Sequence, residues 1–315
     1  MRQFLSVHDV DDVQALVAEA REHKAAPFAF EDLGRRRTMG LVFFNASLRT
    51  RLSTQRAAQN LGMQVIVLNT GQDAWQLEFS DGTVMDGGSA EHIREAAGVL
   101  GEYCDIIGVR AFPSLKDRTA DEREEVIGNI VRFSGRPVVS LESATRHPLQ
   151  SLADCMTIEE LRTVPRPKVV LTWAPHPRAL PQAVPNSFVE WMRKSDVDLV
   201  VTHPEGYELP PRFMEDTPVE YDQAAAFAGA HFVYAKNWSS YERYGDILRS
   251  DAEWMVTAEK MAATDSGKFM HCLPVRRNVV VDDAVLDSPS SVVLQQAGNR
   301  IWSTQAVLKR MLEAL

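Results

Sequence analysis

The feature that most constrains this chain is a repeated alternation. Short apolar runs rich in β-branched residues are separated by longer stretches of helical pattern. A strand buried in a parallel sheet reads as a near-continuous apolar run, and a helix must return the chain before the next strand starts. Thr38–Phe44, Gln64–Leu68, Cys104–Arg110 and Val138–Glu142 read as such strands, with helical stretches at Ser53–Leu61 and Glu91–Tyr103. A second series follows Pro167: Lys168–Ala174, Asp198–His203, His231–Lys236, Lys268–Leu273 and Val292–Gln295. Two series predict an α/β chain of two doubly wound parallel-sheet domains. Leu149–Leu161 reads as a linking helix, and Trp302–Leu315 as a helix with Val307, Leu308, Met311 and Leu312 as its apolar positions. The expected layout is a first domain over residues 1–147 with the helix 302–315 packed back on it. A linking helix over 148–163 and a second domain over 164–301 complete it. A chain of 315 residues suffices for two cores.

Charge limits the partners. A formal net charge of −9 argues against nucleic acid, whose phosphates need a broad basic surface. A small anion is compatible, because its binding depends on the local field of a few arginines. Cys104, Cys155 and Cys272 form neither an even set nor a metal-type spacing, which suits a reducing compartment. The opening MRQFLSVHDVDD has no long apolar run, so neither a signal peptide nor a membrane anchor is expected, and the cytoplasm is the expected location. No cluster of His, Asp or Glu suggests a metal, and no cofactor is expected.

Ligands of open α/β sheets collect at the carboxyl ends of the strands. Five segments with usable chemistry fall there. In Phe43-Phe44-Asn45-Ala46-Ser47-Leu48-Arg49-Thr50-Arg51-Leu52-Ser53 a strand ends, a polar turn follows and a helix begins. Unpaired N–H groups at a helix start, two hydroxyls and two guanidinium groups make a phosphate seat. Taken alone, the run also reads as a capped helix with solvated arginines. His147-Pro148-Leu149-Gln150 opens the linking helix and sets an imidazole beside an amide, a pair suited to a planar carbonyl and its NH2. In His271-Cys272-Leu273-Pro274-Val275-Arg276-Arg277-Asn278 the X-Pro bond is a candidate cis bond that would turn backbone carbonyls toward a ligand. Asn299-Arg300 follows the expected strand Val292–Gln295, and Arg110 ends another strand.

In this order and context the five segments resemble the aspartate and ornithine transcarbamylases over most of the chain. The carriers are S-x-R-T-R, the strand-end arginine, H-P-x-Q with Leu152-Ala153-Asp154, H-C-L-P and N-R. Where ornithine enzymes of the family carry an aspartate for the free α-ammonium, Lys236 stands before Asn237-Trp238-Ser239-Ser240. A lysine there would repel an ammonium and attract a carboxylate. The run Trp173-Ala174-Pro175-His176-Pro177-Arg178-Ala179-Leu180-Pro181-Gln182-Ala183-Val184-Pro185-Asn186-Ser187 resembles the proline-rich loop of the acylornithine transcarbamylases. In that subfamily the loop belongs to a knotted second domain.

The resemblance implies roles. Carbamoyl phosphate would meet Ser47, Leu48, Arg49, Thr50, Arg110, His147, Gln150, Cys272, Leu273 and Arg300, with Trp75 reaching a neighbouring copy's site in a homotrimer. The acylornithine would meet Glu142, His176, Lys236 and Arg276, with Ala90 beside its acyl group. Thr50, Arg110 and His147 would polarise the carbamoyl oxygen, and the carbonyls of Cys272 and Leu273 would accept protons of the δ-amine. Three departures from the family pattern stand out: Leu48 for threonine or glycine, Asn45 for a charged residue, and Gly298 for glutamate. None removes an arginine of the phosphate seat.

The activity implied is carbamoyl transfer to an Nα-acylated ornithine, within arginine biosynthesis. Succinylornithine is favoured and acetylornithine is the alternative. The acetyl type carries a glutamate at the position aligned with Ala90, and alanine leaves room for a second carboxylate. A nucleotide-dependent dehydrogenase is disfavoured, since no strand is followed by G-x-G-x-x-G or a P-loop. A catalytically silent ligand-binding paralogue is disfavoured by the full set of anion-binding arginines.

Overall fold

The computed structural model describes residues 1–71, 73, 75–250 and 252–315. Its strands in chain order are β1 Gln3–Phe4, β2 Thr38–Phe43, β3 Gln64–Asn69, β4 Leu77–Glu78, β5 Glu91–His92, β6 Ile106–Arg110 and β7 Val138–Glu142, then β8 Lys168–Trp173, β9 Asp198–Thr202, β10 Val219–Glu220, β11 Phe232–Lys236 and β12 Lys268–Met270. The chain divides into two compact units: Met1–Leu149 with Arg300–Leu315, and Gln150–Asn299. Their boundaries fall inside two helices, Pro148–Leu161 and Val293–Leu312.

The first unit is built on a parallel sheet of order β1-β7-β6-β2-β3. Strands β6 and β7 are buried at every residue, as a sheet covered on both faces requires. On one face the helices Ile93–Tyr103 and Glu125–Phe133 bring Ile93, Ala97, Ile127 and Ile130 against Val42, Ile107 and Val109. Each fully buried aliphatic side chain stabilises the unit by roughly 1.5–3 kcal/mol. The turn into β3 needs a glycine: Gly62 has φ of 80°, and a Cβ there would lie 1.9 Å from the Glu31 carbonyl oxygen.

The second unit repeats the plan with the order β10-β9-β8-β11-β12, again all parallel. Its core gathers Val170 of β8, Val233 and Ala235 of β11 and Phe269 of β12 with Phe227, Val256 and Val281. Among the described residues, no helix is long and apolar enough to cross a membrane.

One expected strand is a helix. Val292–Gln295 opens the helix Val293–Leu312, which starts nine residues before the expected Trp302. Two adjacent valines imitate a strand, and the helical stripe is hidden because it is largely polar. Gln296, Asn299, Arg300, Ser303 and Thr304 are all buried at helical spacing, while Leu294 is exposed. Such groups are held inside by hydrogen bonds, so a search for apolar periodicity passes over them. Asn299 and Arg300 therefore lie within a helix and do not follow a strand. Smaller shifts occur elsewhere. The helix expected at Ser53 spans Leu48–Asn60, and Glu91–His92 pairs with β4 ahead of the helix Ile93–Tyr103.

Candidate active site

In the first unit the phosphate-seat residues are assembled by the end of β2 and the start of the next helix. Ser47 caps the helix Leu48–Asn60, its side chain accepting a hydrogen bond from Thr50 N at 3.4 Å. The remaining first-turn N–H groups sit at the positive end of a thirteen-residue helix. Thr50 is buried and its Oγ1 accepts a hydrogen bond from Arg300 Nη2 at 3.0 Å, which brings two distant motifs together. Arg49 is half-buried and Leu48 is exposed. Asn45 ties the turn to the end of β6, its Oδ1 accepting from Phe112 N at 2.7 Å.

A register shift between Val109 and Arg110 places Arg110 opposite Glu142, each closing its strand. Arg110 Nη1 donates to Glu142 Oε2, and the same oxygen lies 3.3 Å from His147 Nε2. The Arg110 guanidinium also stacks 4.4 Å above the Phe112 ring. All three charged or titratable groups are buried. Arg110 Nε has no hydrogen-bond partner among the described residues. This buried cation thus carries its own counterion and keeps a donor in reserve.

In the second unit Lys236 closes β11, opposite Trp173 at the end of β8. The proline-rich run after Trp173 is laced to that strand end. Ala174 N donates to the Lys236 carbonyl at 3.1 Å, Asn237 Nδ2 to the Ala174 carbonyl at 2.8 Å, and Gln182 Nε2 to the Ser239 carbonyl at 2.7 Å. His176, on this run, accepts a hydrogen bond at Nε2 from Arg276 Nε at 3.1 Å. Its Nδ1 lies 3.0 Å from the Arg178 carbonyl and 3.1 Å from the Arg178 N–H; because Arg276 can only donate to Nε2, the neutral ring carries its proton on Nδ1, which gives to the carbonyl and leaves the N–H approach unmade. Burial holds His176 below the ordinary imidazole range, with Lys236, Arg276 and Arg178 adding to the effect against the Arg178 carbonyl bond. Three cations therefore gather about a neutral imidazole. Lys236 is only 9% exposed. Among the described residues, no hydrogen bond or ion pair is made by its ammonium group.

The H-C-L-P segment follows β12. Leu273 N donates to His271 Nδ1 at 2.9 Å, and the Leu273–Pro274 bond is cis. Leu273 has φ of 54°, a left-handed conformation that costs a bulky residue about 1–3 kcal/mol and persists where surrounding contacts enforce it. Cys272 is half-buried. Gln150 is buried, and its Nε2 donates to Asp154 Oδ1 at 2.8 Å.

Trp75 and Ala90 lie apart from these groups in the sequence and are both exposed. Trp75 Nε1 donates to Glu91 Oε2 at 2.7 Å, and Ala90 N donates to the Gln76 carbonyl at 3.0 Å. Reading the motifs singly missed two residues. Gln296, fully buried, donates to Asp154 Oδ1 at 2.7 Å and accepts from His271 N at 2.9 Å. Tyr234, also fully buried, has its phenol held well above the ordinary range by burial and by Asp154 and Cys272 beside it. Their signal was an amide or hydroxyl in a stretch otherwise read as core. Among the described residues, no group of three or more His, Cys, Asp or Glu side chains could hold a metal ion.

Residues 2–160 match the carbamoyl-P binding domain of aspartate/ornithine carbamoyltransferases, and residues 181–311 match their Asp/Orn binding domain. The chain is 55% identical to an N-succinylornithine carbamoyltransferase of Bacteroides thetaiotaomicron, with all of both chains covered. It is 37% identical to an N-acetylornithine carbamoyltransferase of Xanthomonas campestris, over 99% of this chain and 98% of the relative. A solved acetylornithine transcarbamylase complexed with acetylcitrulline superposes with a TM-score of 0.92 at 36% identity, covering 99% of each chain. On these matches, the chain belongs to the aspartate/ornithine carbamoyltransferase family.

Proposed function

We propose that this protein transfers the carbamoyl group of carbamoyl phosphate to the δ-amine of N2-succinyl-L-ornithine. The products are N-succinyl-L-citrulline and phosphate, in arginine biosynthesis. The observation that carries the choice of an acylated substrate is Lys236. A buried ammonium with no anion beside it is costly, and a ligand carboxylate would relieve that cost. A free α-ammonium would add a fourth positive charge to the three already gathered about His176. An Nα-acyl amide is neutral and leaves the substrate's carboxylate to Lys236.

In this reading Ser47, Leu48, Arg49, Thr50 and Arg300 take the phosphate. Arg110, His147 and Thr50 polarise the carbamoyl oxygen and stabilise the oxyanion formed when nitrogen attacks. Gln150 meets the carbamoyl amide, and the carbonyls of Cys272 and Leu273 accept hydrogen bonds from the δ-amine. The amine must be neutral to attack, although free in water it resembles lysine, near pKa 10.4. The δ-nitrogen bonds to the carbamoyl carbon, the carbon–oxygen bond to phosphate breaks, and the leaving phosphate takes the amine's proton. Glu142, His176, Lys236 and Arg276 hold the acylornithine. Trp75 is exposed and anchored by Glu91, which suits a residue presented to a neighbouring copy in a homotrimer.

The succinyl preference rests on Ala90. We align it with a glutamate of the acetyl-type enzymes. Glu91, the nearest acid in sequence, is hydrogen-bonded to Trp75. Solved variants of an N-acetyl-L-ornithine transcarbamylase, with one glutamate replaced by alanine, valine or serine, are complexed with carbamyl phosphate and N-succinyl-L-norvaline. The competing substrate is N-acetylornithine, named for relatives at 37% identity. The test is a colorimetric assay for ureido product with carbamoyl phosphate and each acylornithine. Succinylornithine should give the higher kcat/KM. A lack of product with both would overturn the reading, and a preference for acetylornithine would overturn its acyl assignment.

A further inference from the structure

Gln296 lies on the helix Val293–Leu312, yet it touches two of the motifs described above. Its Oε1 accepts the His271 backbone N–H at 2.9 Å, and a backbone N–H can only donate. That contact fixes which end of the Gln296 amide is oxygen, so Nε2 must face Asp154, 2.7 Å away. The same Asp154 oxygen accepts Gln150 Nε2 at 2.8 Å. Asp154, as a carboxylate, only accepts, which fixes the direction of the Gln150 amide, and Gln296 holds the same carboxylate oxygen in place. With its NH2 committed to Asp154, the Gln150 amide turns its carbonyl oxygen the other way. That is the polarity needed to accept a hydrogen bond from a carbamoyl NH2. Gln150, Asp154 and Gln296 are each at most 1% exposed, so water does not compete for these bonds.

We propose that Gln296 is a positioning residue for carbamoyl transfer, fixing in place the Asp154 carboxylate that holds the Gln150 amide while pinning the H-C-L-P turn at His271. The proposal rests on the reading of Gln150 as a carbamoyl contact. Glutamate at 296 separates this role from simple packing, because it has nearly the same shape and still accepts from His271 N. Ionised, it cannot donate to Asp154 and sets two carboxylates side by side, whose repulsion moves Asp154 from the place where it holds the Gln150 amide. Protonated, it donates again. The titratable groups facing this point are Asp154, Tyr234, His271 and Cys272. Asp154, as a like charge, raises the pKa of such a glutamate and extends the recovery toward neutral pH.

The experiment measures KM for carbamoyl phosphate and kcat against pH in the wild type, Gln296→Glu, Gln296→Met and Gln150→Ala, with a thermal melt of each. Gln296→Glu should raise KM for carbamoyl phosphate about tenfold above neutral pH and regain most of that loss as pH falls. Gln296→Met should lose a similar amount without the acid recovery. A Gln296→Glu profile parallel to wild type would overturn the inference. So would a Gln296→Met variant with a lowered Tm and an unchanged KM. Should the glutamate variant fail to fold, the methionine variant's KM decides alone. Gln150→Ala with wild-type KM would instead refute the carbamoyl contact itself, and the proposal with it. A defective Gln150→Ala beside wild-type-like Gln296 variants would sink only the relay.

Discussion

Arg110 and Lys236 are both buried cations at the carboxyl end of a parallel strand, and they differ in what faces them. Arg110 pairs with Glu142, which also lies beside His147, and its charge is balanced inside its own unit. Among the described residues Lys236 has no ion-pair partner, and the other charges acting with it on His176, Arg276 and Arg178, have the same sign. A buried pair that is intact is close to neutral for stability, whereas a lone buried charge is a standing cost. The first arrangement can keep a guanidinium in place whether or not ligand is bound. The second is completed only by a ligand that supplies a carboxylate. On the function proposed above, the difference separates a group oriented for catalysis from a group oriented for selection.

The two cations should respond oppositely to neutral substitution. Arg110→Met leaves Glu142 buried without its guanidinium and, on the proposed function, removes a donor to the developing oxyanion. We expect kcat to fall by on the order of 10²–10³-fold, and stability to fall by about 3–5 kcal/mol. Lys236→Met removes a charge that nothing balances. Its Tm should hold or rise, while KM for the acylornithine rises about ten- to a hundredfold, the size expected for a lost charged hydrogen bond. Kinetics beside thermal melts of the two variants check both signs. A Tm that falls equally in both would erase the distinction.

The proposed acyl preference is read at Ala90, in the first unit. Ala90→Glu should move the ratio of kcat/KM toward acetylornithine. Like charges about 4 Å apart cost on the order of 4 kcal/mol at an effective dielectric near 20, and solvent at this exposed position reduces the effect. An unchanged ratio in competition assays would show that the position does not read the acyl group. The smallest effect should come from His176, whose pKa is lowered in the folded state. The folded protein binds fewer protons there than the unfolded chain. Stability from this group is therefore full above the ordinary imidazole value of about 6.5 and is lost as pH falls through that value toward the folded pKa. Protonation also removes the acceptor for Arg276 Nε. KM for the acylornithine should rise modestly as pH drops below the ordinary imidazole range toward the lowered pKa of His176, an effect His176→Gln should flatten.

What the sequence made legible follows from where each signal is local. The strands of both sheets were readable because parallel strands are apolar on both faces. The Ser47 cap and the lysine at 236 were readable because caps and strand ends occupy fixed places in a βα unit. The helix Val293–Leu312 was misread because its buried stripe is made of Gln296, Asn299, Arg300, Ser303 and Thr304. β1 and β10 are two residues each, and their pairing with β7 and β9 is a tertiary fact with little sequence pattern. The pairing of Glu142 with Arg110 depends on a register shift that composition does not carry. The motif residues were thus visible one at a time, while the contacts that orient them, Gln296 above all, appeared only with the fold.

The proposed selectivity of Lys236 is tested most directly by one ratio, kcat/KM for free ornithine against N-succinylornithine, measured in the wild type with saturating carbamoyl phosphate. An unbalanced Lys236 with Arg276 and Arg178 nearby predicts that free ornithine is poorer by about a hundredfold or more, since one added like charge at partly screened distance costs a few kcal/mol. Comparable values for the two substrates would contradict the claim that this buried cation selects for a neutral α-nitrogen.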